Sequence, residues 1–233
     1  MNENHTYAVL TGDIIKSTAL STVELDAVRS RLLDSVREVK EWKPRLVKSK
    51  AEFFRGDSWQ ILLSDPSMAL RVAVFLRASL ISQGKADTRI SIGIGKTESI
   101  SPNRVSLSTG EAFLLSGIGL DKMISVTSMM ISISPSVGHL FEWLPVVANL
   151  CDALIRNWTE RQAEIVKLAA HPKDLIHEKI ADRLCPPVSK QAVTKALNGA
   201  NWNPLREAIQ TFERTDWENL KNKIIYGQPL EVV

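Results

Sequence analysis

The stretch TGDIIKST, residues 11–18, follows the apolar run YAVL and carries an acid, Asp13, into a group of small polar residues. The apolar run predicts a strand over residues 6–15. Ser21 and Glu24 have the spacing of a capping box and predict that a helix follows. The carboxylate of Asp13 is therefore expected where a strand ends and the chain turns.

A second stretch repeats this arrangement. In FFRGDSWQILL, residues 53–63, the turn-forming sequence RGDS places Asp57 between two strands that we predict over 45–53 and 58–64. The alternating isoleucines of TRISIGIGKTES, residues 88–99, predict a further strand. A hairpin lying beside the first strand would bring the two aspartates to the same edge of a sheet.

The order of predicted elements indicates the fold class of the first half. A helix starting at Pro66 and ending near Gly84, a second helix over 109–122 and a strand over 124–134 complete the series. Hairpins mixed with crossover helices are typical of an α+β domain, and the order is that of a ferredoxin-like sheet. We assign residues 1–138 to this domain.

Only helical patterns follow, so residues 139–233 are predicted to form an all-α domain. Helices are expected from 146 to 158, from the capping box at Thr159 to about 170, from a cap at Asp174 to Leu184, and from a cap at Ser189 onward. Two short helices separated by a tight turn, after a supporting helix, have the helix-turn-helix pattern.

Composition excludes several classes of protein. The net charge of +3 points to no particular partner, and the hydrophobic fraction of 44% predicts a packed core. Cys151 and Cys185 lack metal-type spacing and are expected as free thiols in a reducing cytoplasm. No signal peptide or membrane span is predicted, and the scattered histidines make zinc unexpected.

Asp13 and Asp57 are the candidate metal ligands. Two neighbouring carboxylates repel each other, and a divalent cation removes that penalty. Mg²⁺, or Mn²⁺ in its place, favours one or two carboxylates completed by phosphate oxygens and water. Backbone N–H groups and nearby side chains could then bind a nucleotide's phosphates. The candidate phosphate-binding residues are Lys16, Ser17, Thr18, Arg55 and Gly56. The alternative is structural, because Asp suits turns.

The second of the two short helices is the candidate DNA-binding element. Recognition helices contact DNA through their N-terminal residues, and this helix offers polar side chains without an acid. The candidates are Ser189, Lys190, Gln191, Thr194, Lys195 and Asn198. The alternative is a helix pair used for packing or dimerisation.

TGDIIKST, FFRGDSWQILL and RISIGIGKTE, in this order, together resemble the core of class III nucleotidyl cyclases. The chain is more closely similar to the SatD-type family of bacterial proteins, which joins such a domain to a C-terminal helix-turn-helix. The resemblance implies that Asp13 and Asp57 hold the metal, that Ile14 contributes its backbone carbonyl, and that a nucleoside triphosphate or related nucleotide is bound. A homodimer is also compatible with this resemblance, since the site of class III cyclases lies between two subunits.

Three positions depart from the active cyclases. Phe53 stands where those enzymes have a base-reading lysine, and Leu114 and Ile118 stand at or near the positions of their transition-state Asn and Arg. Losing one such donor commonly costs about 100- to 1000-fold in rate. A partner copy cannot restore these groups, since it has the same residues.

The leading hypothesis is a cytoplasmic transcription regulator that binds a nucleotide with Mg²⁺ and binds DNA, without ordinary cyclase activity. One rival is a nucleotidyl cyclase or transferase acting on a triphosphate. The other is a degenerate protein-interaction module, which predicts that neither nucleotide nor DNA binds.

Overall fold

The computed structural model describes residues 5–54, 56–84, 86–124 and 126–220. Within them the chain forms an α+β structure, as predicted, with one five-stranded mixed sheet and eight α-helices. The strands are β1 (Tyr7–Ile14), β2 (Glu52–Phe54), β3 (Ser58–Leu63), β4 (Thr88–Gly95) and β5 (Met129–Ser132). The helices are α1 (Thr22–Trp42), α2 (Ala69–Ile81), α3 (Glu111–Lys122), α4 (Leu140–Ile155), α5 (Glu160–Ala169), α6 (His177–Arg183), α7 (Lys190–Gly199) and α8 (Trp202–Arg214).

The strand order is β2-β3-β1-β4-β5, so β1 lies at the centre of the sheet. All pairs are antiparallel except β4 with β5. Asp13 on β1 is opposite Ser58 on β3 and opposite Arg89 on β4. Directly opposite residues project to the same face, so this register places these three side chains on one face near the end of β1.

One face of the sheet is covered by α1, α2 and α4. The alternating residues of β1 and β4 on this face, including Leu10 and Ile92, are fully buried. Local sequence begins α1 where predicted, because Ser21 and Glu24 form both hydrogen bonds of a capping box. Helix α2 is buried from Ala69 through Leu80, around its whole circumference.

The opposite face is covered by α3 over β1, β4 and β5. The approach is close at Gly93, where a Cβ would lie 2.2 Å from the carbonyl oxygen of Ala112, so only glycine fits. Thr11 and Ser116 form a 2.9 Å hydrogen bond between β1 and α3. These contacts fix α3 against the half of the sheet that carries Asp13.

Within the described residues, the segment after β5 forms only helices, as predicted, and α4, α5 and α8 pack against α2. Arg77 on α2 forms a 2.7 Å ion pair with Asp152 on α4, and Arg71 forms a 2.5 Å ion pair with Glu213 on α8. One hydrophobic core runs from the sheet into these helices. The division of the chain after residue 138 stays a prediction.

Among the helices of the described ranges, none combines the length and the apolar character that crossing a bilayer requires.

Two predicted strands need correction. The strand expected over 45–53 is wrong except at its end, since only Glu52–Phe54 is a strand. The strand expected over 124–134 shortens to Met129–Ser132. Both segments contain buried apolar residues that pack from irregular backbone, so their hydrophobic pattern overstated the strands.

Asp174 does not cap the helix that follows it. Its φ is +48°, and its carboxylate pairs with Arg206 at 2.6 Å, while Ile176 precedes the first turn of α6. Helix α8 was not predicted. Its apolar face is regular, with Trp202, Leu205, Ile209 and Phe212 buried.

Candidate functional site

Asp13 is held by an arginine from the neighbouring strand. Arg89 Nε donates to Asp13 Oδ1 at 2.8 Å, and Arg89 Nη2 donates to Asp13 Oδ2. This two-point contact follows from the register, because the two residues are directly opposite across β1 and β4. The Asp13 side chain is 16% exposed and that of Arg89 is 33% exposed, so solvent reaches the pair.

Asp57 lies in the turn before β3 and contacts the segment that leaves β1. Ser17 Oγ donates to Asp57 Oδ2 at 2.5 Å, and the backbone N–H of Ile14 donates to the Asp57 carbonyl at 3.3 Å. The turn itself is tied to α1, because Arg29 Nε donates to the Gly56 carbonyl at 2.7 Å. The hairpin and the end of β1 are therefore joined at the edge that the sequence indicated.

The electrostatics around Arg89 show that several acids surround one cation. The pKa of Arg89 is raised, first by its hydrogen bonds with Asp13 and then by the negative charges of Asp13, Asp57 and Asp121, against a lowering by burial. Asp121 is exposed on the last turn of α3. The negative charges of three carboxylates therefore act on one guanidinium at this edge.

The predicted phosphate-binding residues divide between contacting and exposed positions. Ser17 contacts Asp57, whereas the side chains of Lys16 and Thr18 are exposed. Lys16 has a left-handed backbone with φ 55°, and Gly56 has φ 92°. Arg55 lies outside the described residues.

The three positions that depart from the cyclase pattern all carry apolar side chains. Phe53 packs against the core from β2, opposite Trp59. Leu114 and Ile118 lie on the outward face of α3, where they are 64% and 41% exposed. Apolar side chains there offer no hydrogen-bond donor.

Arg89, Asp121 and Arg29 are the residues that sequence reasoning missed. Arg89 begins the alternating run RISIGIG, and that run predicted β4 correctly. Only the register of β4 against β1 makes Arg89 the partner of Asp13, and register is not visible in a single strand's pattern.

The carboxylates at this edge suit a hard divalent cation whose coordination is completed by a bound ligand. Asp13 and Asp57 can supply two carboxylates, which is the usual protein share for Mg²⁺. No group of three or more His, Cys, Asp or Glu side chains within the described ranges is arranged to hold a metal ion. A cation here would need phosphate oxygens and water to complete its coordination.

On α7 the predicted DNA-binding residues divide into paired and unpaired side chains. Ser189 caps the helix by accepting a 3.2 Å hydrogen bond from the Ala192 N–H. Lys190 forms a 2.6 Å ion pair with Glu178, and Thr194 hydrogen-bonds His177 at 2.9 Å.

Gln191, Lys195 and Asn198 are exposed. Their i, i+4, i+7 spacing places them on one outward stripe of α7.

No family model and no curated protein matches this chain.

Proposed function

We propose that the edge formed by Asp13 and Asp57 binds a divalent cation, Mg²⁺ or Mn²⁺, together with the phosphates of a nucleotide. The observation that supports the proposal is that Asp13 and Asp57 lie with Arg89 at a solvent-accessible edge, where the negative charges of both act on the guanidinium. The strand order of β1 to β4 supports a ferredoxin-like, nucleotidyl cyclase-like sheet, in which the first strand and the hairpin are neighbours.

The cation would compete with Arg89 for Asp13. In its absence the guanidinium neutralises Asp13, which lowers the repulsion between the two carboxylates. A bound divalent cation supplies that neutralisation itself and leaves Arg89 without its partner. The turn of Lys16 and Ser17 lies beside Asp57 and offers a cation and a hydroxyl to phosphate oxygens.

Binding without cyclisation is the form of this function that the residues favour. Developing negative charge on a transferring phosphoryl group requires positioned donors. Leu114 and Ile118 offer none, and Phe53 cannot read a base by hydrogen bonding. Incubation with each triphosphate and Mn²⁺, followed by mass spectrometry, tests the rival enzyme hypothesis, and a cyclic or linear nucleotide product would favour it.

Calorimetric titration tests nucleotide binding directly. Wild type is titrated with each nucleoside triphosphate in the presence of Mg²⁺, and again with EDTA. We expect metal-dependent heat in wild type and its loss in Asp13→Asn and Asp57→Asn. Asp34→Asn removes an exposed acid from α1, where Asp34 pairs with Arg37, and serves as the matched control. Equal binding by all four proteins, or none by wild type, would overturn the proposal.

A second function is supported by a separate observation, the outward stripe of α7. We propose that α6 and α7 act as a helix-turn-helix that places this stripe against DNA, in a bacterial cytoplasmic transcription regulator. Lys195 is the exposed cation of the stripe, and Gln191 and Asn198 carry amides that can bond base edges. The ion pair of Lys190 with Glu178 reduces the contribution of Lys190 to phosphate contacts.

Fluorescence anisotropy with a labelled duplex tests this function. The logarithm of affinity should fall linearly with the logarithm of salt concentration. Lys195→Ala should make the slope shallower by about 1. Lys122→Ala removes an exposed lysine from α3 and should leave the slope unchanged. A salt-independent signal, or no signal, would support the protein-interaction alternative instead.

A further inference from the structure

Residues 43–50, KPRLVKSK, form a loop between α1 and β2 that we call the basic loop. It carries Lys43, Arg45, Lys48 and Lys50 and contains no acid. The pattern predicted a strand here, and neither the metal edge nor α7 accounts for these charges. A concentration of like charge in a protein of small net charge is a local feature of the surface.

The basic loop is anchored to the sheet through its backbone and its apolar residues. Leu46 is fully buried and Val47 is 9% exposed. The N–H of Lys48 donates to the Leu62 carbonyl at 2.9 Å, and Ser64 donates to the carbonyls of Leu46 and Arg45 at 2.8 and 2.9 Å. The cations therefore project from a fixed backbone rather than from a mobile linker.

Most of these cations have no acidic partner. Lys43 pairs with Asp65 at 2.6 Å. Arg45, Lys48 and Lys50 are exposed, and none of them forms an ion pair within the described ranges. Arg45 has φ +61°, a conformation that is unfavourable for a residue with a side chain. Such strain persists where the surrounding structure imposes it, and it marks a candidate functional position.

The loop borders an open groove of about 560 Å³. Lys43, Arg45 and Lys48 line the groove together with Ser64. Three acids also line it: Asp65 accepts from Lys43 and Ser67, Glu218 pairs with His5, and Asp216 accepts from Asn219. Among the groove's cations, Arg45 and Lys48 have no ion-pair partner within the described ranges and remain available to an anion.

A short path connects the basic loop to α6 and α7. Trp42 precedes the loop and packs edge-on against His171, with ring centroids 5.8 Å apart. Lys173 follows on the same connection to α6 and is exposed. The pKa of His171 is lowered, first by burial and then by the positive charges of Lys173, Arg183 and Arg71, against a raising by Glu38.

We propose that the basic loop and Lys173 contact the phosphate backbone of the same DNA duplex whose bases α7 reads, and that they set the position of the protein on it. This inference rests on the DNA binding proposed for α7 and extends it to a surface of the first half. Phosphate contacts of this kind fix register and orientation without reading sequence. A membrane-surface segment would display apolar residues beside its cations, whereas Leu46 and Val47 are buried.

The test compares salt slopes of duplex binding for three full-length variants. Loop charges are removed in Arg45→Asn/Lys48→Ala/Lys50→Ala, in which Asn tolerates the left-handed backbone at position 45. Lys195→Ala tests α7, and Lys122→Ala is the control. About 0.9 counterions are released per phosphate contact, so removing three cations should make the salt slope shallower by about 2 to 3. The loop variant should also bind the duplex more weakly. Circular dichroism and thermal unfolding confirm that each variant is folded.

The outcomes separate the two proposals. A shallower slope in the loop variant and a smaller change in Lys195→Ala support both. A wild-type slope in the loop variant overturns the further inference while a change in Lys195→Ala still supports α7. A change in the loop variant alone supports the loop and counts against α7. Binding to phosphatidylserine vesicles without binding to the duplex overturns the further inference and assigns the charges to a membrane surface.

Discussion

Two arginines on the same sheet-and-helix framework hold carboxylates in opposite ways. Arg77 is 0% exposed and binds Asp87 and Asp152, and Asp152 is itself 0% exposed. Arg89 is 33% exposed and binds Asp13 at an edge that Asp57 and Asp121 also approach. Burial and the balance of charge, rather than the ion pairs themselves, distinguish a structural network from a candidate site.

The buried network leaves no oxygen of Asp152 without a partner. Arg77 donates to Oδ1 at 2.7 Å, and the Ser128 N–H donates to Oδ2 at 2.8 Å. Burial alone would lower the pKa of Arg77, but the charges of Asp87 and Asp152 outweigh it and raise the pKa. The pair of Arg89 with Asp13 is instead reached by solvent, so a ligand can approach its carboxylate.

The largest effect should come from breaking the buried network. Arg77→Met removes the closer of the two cations that pair with buried Asp152 and leaves only Arg156 at 3.4 Å; breaking a buried ion pair typically costs about 3–5 kcal/mol. Urea unfolding followed by circular dichroism measures the loss. A change of less than about 1 kcal/mol would show that Asp152 does not depend on Arg77, and the comparison with Arg89 would fail.

A smaller loss of stability is expected from Gly12→Ala, which crowds the backbone beside the candidate site. A Cβ at Gly12 would lie 2.3 Å from the Arg89 carbonyl oxygen and 2.5 Å from the Trp59 ring. Overpacking of this kind typically costs about 1–3 kcal/mol. The same unfolding experiment measures it, with Gly117→Ala as a control because a Cβ there meets nothing within 4 Å. Equal stability of the two variants would contradict the close fit between β1 and β4.

Arg89→Gln should lower the stability only slightly and should strengthen metal binding. An accessible ion pair contributes up to about 1 kcal/mol, so unfolding should change little. Removing the guanidinium takes away the competitor of the cation, and the affinity for Mn²⁺ without nucleotide should rise several-fold. Calorimetry with MnCl₂ measures this affinity. Weaker Mn²⁺ binding, or a stability loss as large as that of Arg77→Met, would contradict the assignment.

The smallest effect is expected for the reactivity of the two thiols, which compares a buried group with an exposed one. Burial, followed by the negative charge of Asp152, raises the pKa of the Cys151 thiol to about 11. The reactive thiolate therefore appears only as pH rises toward that value, and at pH 8 about one molecule in a thousand carries it. Cys185 is exposed. Ellman's reagent at pH 8 should react promptly with one thiol in native protein and with two after unfolding, and prompt reaction of both would contradict the burial of Cys151.

Local signals predicted much of the fold. Ser21, Thr159 and Ser189 cap their helices as their sequence spacing indicated. Local pattern also placed Asp13 and Asp57 each where a strand meets a turn, whereas their nearness to each other depended on the expected strand order. These features depend on residues only a few positions apart, and a single sequence displays such relationships directly.

Features that depend on distant parts of the chain were not predictable in this way. The pairing of Asp13 with Arg89 joins residues that are 76 positions apart and depends on strand register. The segment 45–51 belonged to a predicted strand, yet its backbone bonds to β3 through single contacts such as that of Lys48 with Leu62. Tertiary packing determined both, and no local pattern encodes it.

Helix α2 has a consequence for how the chain must be handled. Its residues from Ala69 to Leu80 are buried on every side, by the sheet and α1 on one side and by later helices on the other. A fragment that ends at residue 138 would expose the side of α2 that those helices cover. We expect such a fragment to aggregate when expressed alone. We also expect a newly made chain to remain incompletely folded until its last helices have left the ribosome.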